Sequence, residues 1–326
     1  MDPLSNPKFK EFCFRHQNAP FNRCLWHTES CPNSAIRAHS VQNSGALDLI
    51  AEDGHVVMVH YTIKDESLQI SFQKVGRNRA TTFTGLCSDH DSELFRPIDT
   101  QEFSPTDPEH LFLIAYRSAL KEFHAALHSG SMVQGIFAKG VELGALPEDG
   151  AAMMAATMQL LGAIKFYPFV KFFHHHFAAR RFSDIRHQVL SLNAPNKAVA
   201  ATGVFLPVEA ESQYDPDDPQ LLVFNLFPTQ SGVHVQFSWR ATDDVLMRRV
   251  ISPIATATGE FQMYLLSKFI LKYTETFALS PSLHASFEDA RIEAIHKYFL
   301  ANACGERAEW DDPLLYLFRE GSRIMN

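Results

Sequence analysis

Hydrophobic and polar positions follow two rhythms along this chain, and the switches between them mark its elements. Residues 55–61 form a strand candidate, and Leu68, Ile70 and Phe72 share one face of residues 67–73. Lys64-Asp65-Glu66 lies between them as a turn, so the pair predicts a hairpin. Beyond Ser104-Pro-Thr-Asp-Pro-Glu, which carries helix-start chemistry, the period lengthens. Phe112, Tyr116, Ala119, Phe123 and Ala126 recur at helical spacing and predict an amphipathic helix to about residue 128. Further helices are expected over 132–143 and 150–166, and, after a break at Pro168, over 171–187. A strand near 198–206 then brings back the period of two. Leu222, Phe224 and Leu226 alternate on one side of Pro228-Thr-Gln-Ser-Gly232, and Val233, Val235, Phe237 and Trp239 on the other. This predicts a second hairpin. Helices over about 242–252, 258–276 and 285–303 close the chain, and no internal repeat interrupts it.

The pattern implies an α+β protein in two parts. Residues 1–105 hold loops, short strands and a short helix from Ser88 that stops at Pro97. Residues 106–326 form a mostly helical body with antiparallel strands around 198–240. Composition agrees with a folded globular chain: 46% of its 326 residues are hydrophobic and 20% charged. A formal charge of −8 supplies no general attraction for nucleic acid. Any such contact needs a local basic patch, and residues 165–187 offer one, with aromatic rings between the positive charges. The commonest reading of the same segment is an aromatic core helix with a solvated basic edge. The uncharged apolar run at 150–164 is too short to span a membrane and predicts a buried helix. With no leader-like start, a cytoplasmic setting is the expectation.

Candidate chemistry gathers in the first third. Cys24-Leu-Trp-His27-Thr-Glu-Ser-Cys31 is one cluster, and Gly85-Leu-Cys87-Ser-Asp-His90-Asp91 is another, with a CxxH spacing opening a helix. Five cysteines make no even disulfide framework, and three of them lie beside histidines, which points to metal binding in a reducing compartment. Cys24, Cys31, Cys87 and His90 could complete a four-coordinate structural zinc site built from two distant pieces of chain. His27 is a rival to Cys24 or Cys31, and His39 a third possibility. Cys13 and Cys304 read as bystanders, and the consecutive histidines 174–176 point in different directions on a helix.

The order Cys…Cys…Ala-His…Leu-Cys-x-x-His resembles nucleases of the HNH type, the ββα-metal, treble-clef class, over residues 20–98. The resemblance implies a zinc-bound treble-clef-like module with catalytic groups beside it. Arg37-Ala-His39 stands at the place of the general-base histidine, and Asp91, with Glu93 as a further candidate, at that of the ligand to a catalytic Mg²⁺ or Mn²⁺. Ala38 replaces the acidic residue often found before the base, and His90 replaces a cysteine. On this reading the protein is a metal-dependent endonuclease acting on nucleic acid, and a bacterial or phage-defence setting would suit the combination. The alternative is a non-enzymatic, zinc-stabilised module that recognises a protein or small ligand, alone or as a homo-oligomer. Neither a phosphate-binding glycine loop nor a Gly-x-Ser-x-Gly elbow is present.

Overall fold

The computed structural model describes residues 3–17, 19, 21–26, 31–64, 67–192, 197–213, 215 and 218–319. His27 and the expected turn residues Asp65 and Glu66 lie outside them. In chain order the main elements are α1 (Pro7–Gln17), β1 (Ala38–His39), α2 (Asp48–Ile50), β2 (His55–Lys64), β3 (Ser67–Gly76), β4 (Thr82–Phe83), α3 (Ser88–Thr100), α4 (Pro108–Glu142) and α5 (Ala151–Ala178). There follow β5 (Ile185–Leu192), β6 (Val199–Phe205), β7 (Leu222–Pro228), β8 (Val233–Arg240), α6 (Asp244–Thr256), α7 (Gly259–Tyr273), β9 (Thr276–Leu279), α8 (Pro281–Ala285) and α9 (Asp289–Ala303). The fold is α+β with antiparallel sheets.

Seven strands form one sheet in the order β3-β2-β9-β6-β7-β8-β5, and β1 pairs with β4 in a separate two-stranded ribbon. Both expected hairpins form, with His55 opposite Gly76 in the first and Leu226 opposite Val235 in the second. Strand β9 was not legible in advance. It is four residues long and fully buried, too short to show a period, and it joins β2 to β6. Strands from either side of residue 105 therefore share one sheet.

The alternating apolar residues of β7 and β8 face α6, α7 and α9, where Phe224, Phe237, Trp239, Met247, Ile251, Ile270 and Tyr298 build the larger core. Val223 and Ile185 face the opposite way, into a second core with Leu94, Phe95, Phe112, Tyr116, Phe169 and Phe173 from α3, α4 and α5. Helices thus cover both faces of the sheet. The β-positions that look solvent-directed are buried beneath α4, where they hydrogen-bond to that helix. Ser118 Oγ lies 2.9 Å from Asn225 Oδ1, Thr202 Oγ1 donates to Ser118 Oγ at 2.9 Å, and Gln236 Nε2 donates to the Leu111 carbonyl at 2.7 Å.

Three expected breaks are absent. Helix α3 continues through Pro97 to Thr100. Residues 108–142 form one helix, not two, capped by Asp107 through the backbone N–H groups of Glu109 and His110 at 2.8 and 3.3 Å. Gly130 does not end it. A Cβ there would stand 3.2 Å from the Leu160 backbone, so glycine allows α4 and α5 to approach closely. Likewise α5 runs through Pro168 and stops at Ala178, while His187 lies on β5 rather than on a helix. The first half of α5 is not buried as expected: Met154, Met158 and Ile164 are each more than half exposed. Residues 151–178 are long and apolar enough to cross a membrane by length and composition, and 22% of their 18-residue apolar window is buried in the protein.

Candidate metal centre and adjoining polar cavity

Local chain geometry brings the four sequence-nominated ligands together. Arg23 and Ser34 form an antiparallel bridge, and the Ala35 N–H donates to the Asn22 carbonyl at 3.1 Å. This closes the loop that carries Cys24 and Cys31. Its two sides are stitched to the approach to α3: Leu25 N–H donates to the Gly85 carbonyl and Ile36 N–H to that of Leu86, both at 2.7 Å. A side chain at Gly85 would collide with the Phe83 ring at 2.4 Å, so glycine is required where the loop presses on this turn. Cys87 precedes α3 and His90 lies in its first turn, which puts both side chains on one edge of the helix.

The result is a compact donor set. The Sγ atoms of Cys24, Cys31 and Cys87 and a ring nitrogen of His90 all lie within 4.8 Å of one another. Cys24 Sγ and Cys87 Sγ are each 3.3 Å from His90 Nδ1, and Cys31 Sγ is 3.9 Å from Cys87 Sγ. Tetrahedral ligands on arms of about 2.3 Å are separated by roughly 3.8 Å, so the spacing suits four-coordination by a single ion. No disulfide competes, since all five cysteines are free thiols. Burial pushes the Cys24 thiol's pKa up to about 11, opposed by the Cys87 N–H, which donates to Cys24 Sγ at 3.3 Å. Trp26 stacks on His90 with ring centroids 4.8 Å apart and planes 11° from parallel, fixing the imidazole's orientation. Its edge meets Phe177 of α5. The cluster could hold a metal ion.

His39 stands outside this set. It lies on β1 opposite Thr82, and its Nε2 is 3.2 Å from the Arg77 carbonyl. A carbonyl only accepts, so Nε2 carries the proton and Nδ1 keeps the basic lone pair. Burial pushes the His39 pKa below the ordinary histidine value. The cationic Arg117 and Arg77 push the same way, while the Arg77 carbonyl and Asp99 oppose. His39 is therefore the neutral imidazole at pH 7.

His39 lines a cavity of about 280 Å³ together with Arg37, Gln42, Asp91, Asp99 and Arg117. Both residues nominated for catalysis, His39 and Asp91, open onto this one space, although 52 positions separate them in the chain. Asp91 Oδ1 is buried without a hydrogen-bond partner, and burial raises the carboxyl's pKa. Glu93, the further candidate, does not line the cavity and is exposed. Sequence reasoning missed Asp99 and Arg117, which meet here in a bidentate pair at 2.9 and 2.7 Å, with the guanidinium 4.2 Å over the Phe95 ring. The 18-residue gap between them spans two helices and leaves no local signal.

A neighbouring recess of about 270 Å³ shares Arg37 and adds Arg79, His124 and His128. The other basic segment, residues 165–187, runs from α5 into β5. His174 is buried against Tyr116 and Trp26, and His176 binds Asp184 at 3.1 Å. Comparison of the chain with known protein families, with curated proteins and with solved structures finds no match.

Proposed function

We propose that the His39–Asp91 cavity is a metal-assisted phosphodiester-hydrolysing site of the HNH type, acting on nucleic acid. The Cys3His cluster would be its structural zinc site in a treble-clef-like frame of knuckle, β1–β4 ribbon and α3. The supporting observation is convergence: the imidazole on β1 and the carboxylate in the first turn of α3 line one polar cavity, next to the donor cluster that ties their elements together.

In this reading His39 Nδ1 accepts the proton of the attacking water. Arg117, held by Asp99, faces the charge that develops at phosphorus. Asp91 has the free carboxylate oxygen that suits a hard divalent cation, and such ions need only one or two protein carboxylates beside substrate phosphates. When bound, Mg²⁺ or Mn²⁺ would supply charge neutralisation at the leaving oxygen. Arg37 and Arg79 have no carboxylate partner among the described residues and border the adjoining recess, where flanking phosphates would lie. They provide local positive charge on an acidic protein.

Plasmid nicking with Mg²⁺ or Mn²⁺ tests the proposal, comparing the protein with His39→Ala and Asp91→Asn. Nicking by the unaltered chain, lost in both variants, is expected. No nicking by the unaltered chain with either ion, or nicking that survives His39→Ala, would discard it. A second reading, a non-enzymatic module that binds a small ligand, is favoured by the cavity described next.

A further inference from the structure

The described residues enclose another cavity, of about 230 Å³, which the hydrolytic reading does not use. It lies where α4 crosses β6 and β7, roofed by the 40–46 segment and the end of α3. Val41, Ile98, Ile114 and Leu226 give part of its lining an apolar character. Phe103 and Phe227 make an aromatic corner, with centroids 4.9 Å apart and planes at 90°. Asn225 contributes a polar group from β7. It is 3% exposed; Ser118 holds one end of its amide, and the other end has no partner.

The charges narrow what would fit. Arg117 reaches the cavity with its guanidinium paired to Asp99, and Glu102 adds a carboxylate to the lining, so acidic groups balance the one arginine there. A free anion is disfavoured. The size is below the roughly 300–1,000 Å³ of drug-sized pockets. A small, flat, uncharged molecule with a hydrogen-bonding edge satisfies every wall at once.

We propose that this cavity binds a nucleobase, its ring held at the Phe103–Phe227 corner and its polar edge meeting the Gln42 and Ser44 side chains that line it. Gln42, Ser44 and Arg117 line both this cavity and that of His39, so an occupant here abuts the same side chains. The base can come from a free nucleoside or from a strand whose backbone lies in the His39 cavity. The assignment does not depend on hydrolysis.

The test is binding without added divalent cations, so that no cleavage is required. Adenosine, guanosine, cytidine, thymidine and a mixed single-stranded 12-mer are each titrated by calorimetry into the full chain, Ile114→Trp and Phe103→Ala. Ile114→Trp fills the cavity. Phe103→Ala removes one ring from a partly exposed position, so it tests the corner even if the larger substitution impairs folding. Saturable binding of a nucleoside, about tenfold or more weaker in both variants, supports a free-base site. Binding of the 12-mer alone with the same losses assigns the base to a strand. No binding by any of the five, or binding unchanged in either variant that folds, overturns the proposal. Failure of nicking together with nucleoside binding would discard the hydrolytic reading and leave this one intact.

Discussion

His90 and Asp91 are consecutive residues of one helical turn, yet they face different surroundings. Adjacent positions on an α-helix diverge by about 100°, so His90 enters the sulfur cluster under Trp26 while Asp91 opens onto the His39 cavity. The two sites differ in how fully their polar atoms are used. In the cluster each donor lies within hydrogen-bonding or ligand distance of another, a spacing that could hold one shared ion. In the cavity a carboxylate oxygen stays unpartnered and a lone pair stays basic. A set of donors closed on itself is what a structural centre requires. Groups left open toward a common space are what chemistry on a visiting molecule requires.

The sharpest way to break this distinction is to attack the cluster. Cys87→Ser is expected to lower bound zinc from about one ion per chain toward none, read by atomic emission. It should also depress the melting temperature by about 10 °C or more, because metal affinity here is folding energy. Unchanged metal content would show that the cluster is not a binding site. His39→Ala should do the reverse. Nicking is expected to fall by roughly 10²–10⁴-fold, the usual range for a lost general base, with zinc content unaltered. If both variants lose metal, the two sites are one.

The pH dependence sharpens the same contrast. A base works in its neutral form, and the His39 pKa lies below the ordinary 6.5, chiefly through burial. The acid limb of the rate profile should therefore have its midpoint below pH 6.5. Arg117 and Arg77 push in that direction and Asp99 opposes, so Asp99→Asn should move the midpoint lower still. A midpoint above 6.5 would contradict the assignment.

A smaller effect concerns the body, away from both sites. Burial lowers the pKa of His187 to about 3, and lowers those of His124, His234, His284 and His296 as well. Between pH 6.5 and the folded value the unfolded chain binds the proton and the folded one does not, so stability falls as pH falls. For His187 the slope is at most about 1.4 kcal/mol per pH unit. Denaturant melts at stepped pH should show it beginning near 6.5, and His187→Gln should flatten it in part.

How much could be read in advance varies with the reach of each interaction. Both hairpins and the caps of α4 were legible because alternation and capping act over a few residues. The helix breaks assigned near residue 130 and at Pro168 failed because packing overrode local preference. Gly130 serves the α4–α5 approach, and α5 continues past its proline. Asn225, Gln236 and Ser238 occupy the polar phase of two strands, a pattern that reads as a solvated face. They are buried because α4 lies over them, and nothing in β7 or β8 announces a helix that precedes them by a hundred residues.

By itself the sequence determined the donor chemistry. Cys24, Cys31, Cys87 and His90 have a soft ligand character, and the CxxH spacing puts two of them on one edge of a helix whatever else the chain does. Tertiary structure alone decided that His39 and Asp91 share a space, that Asp99 and Arg117 join them, and that a cavity lies beneath α4. Residue type and short spacing are local properties. A cavity is the space left between elements, and its shape exists only once those elements have packed.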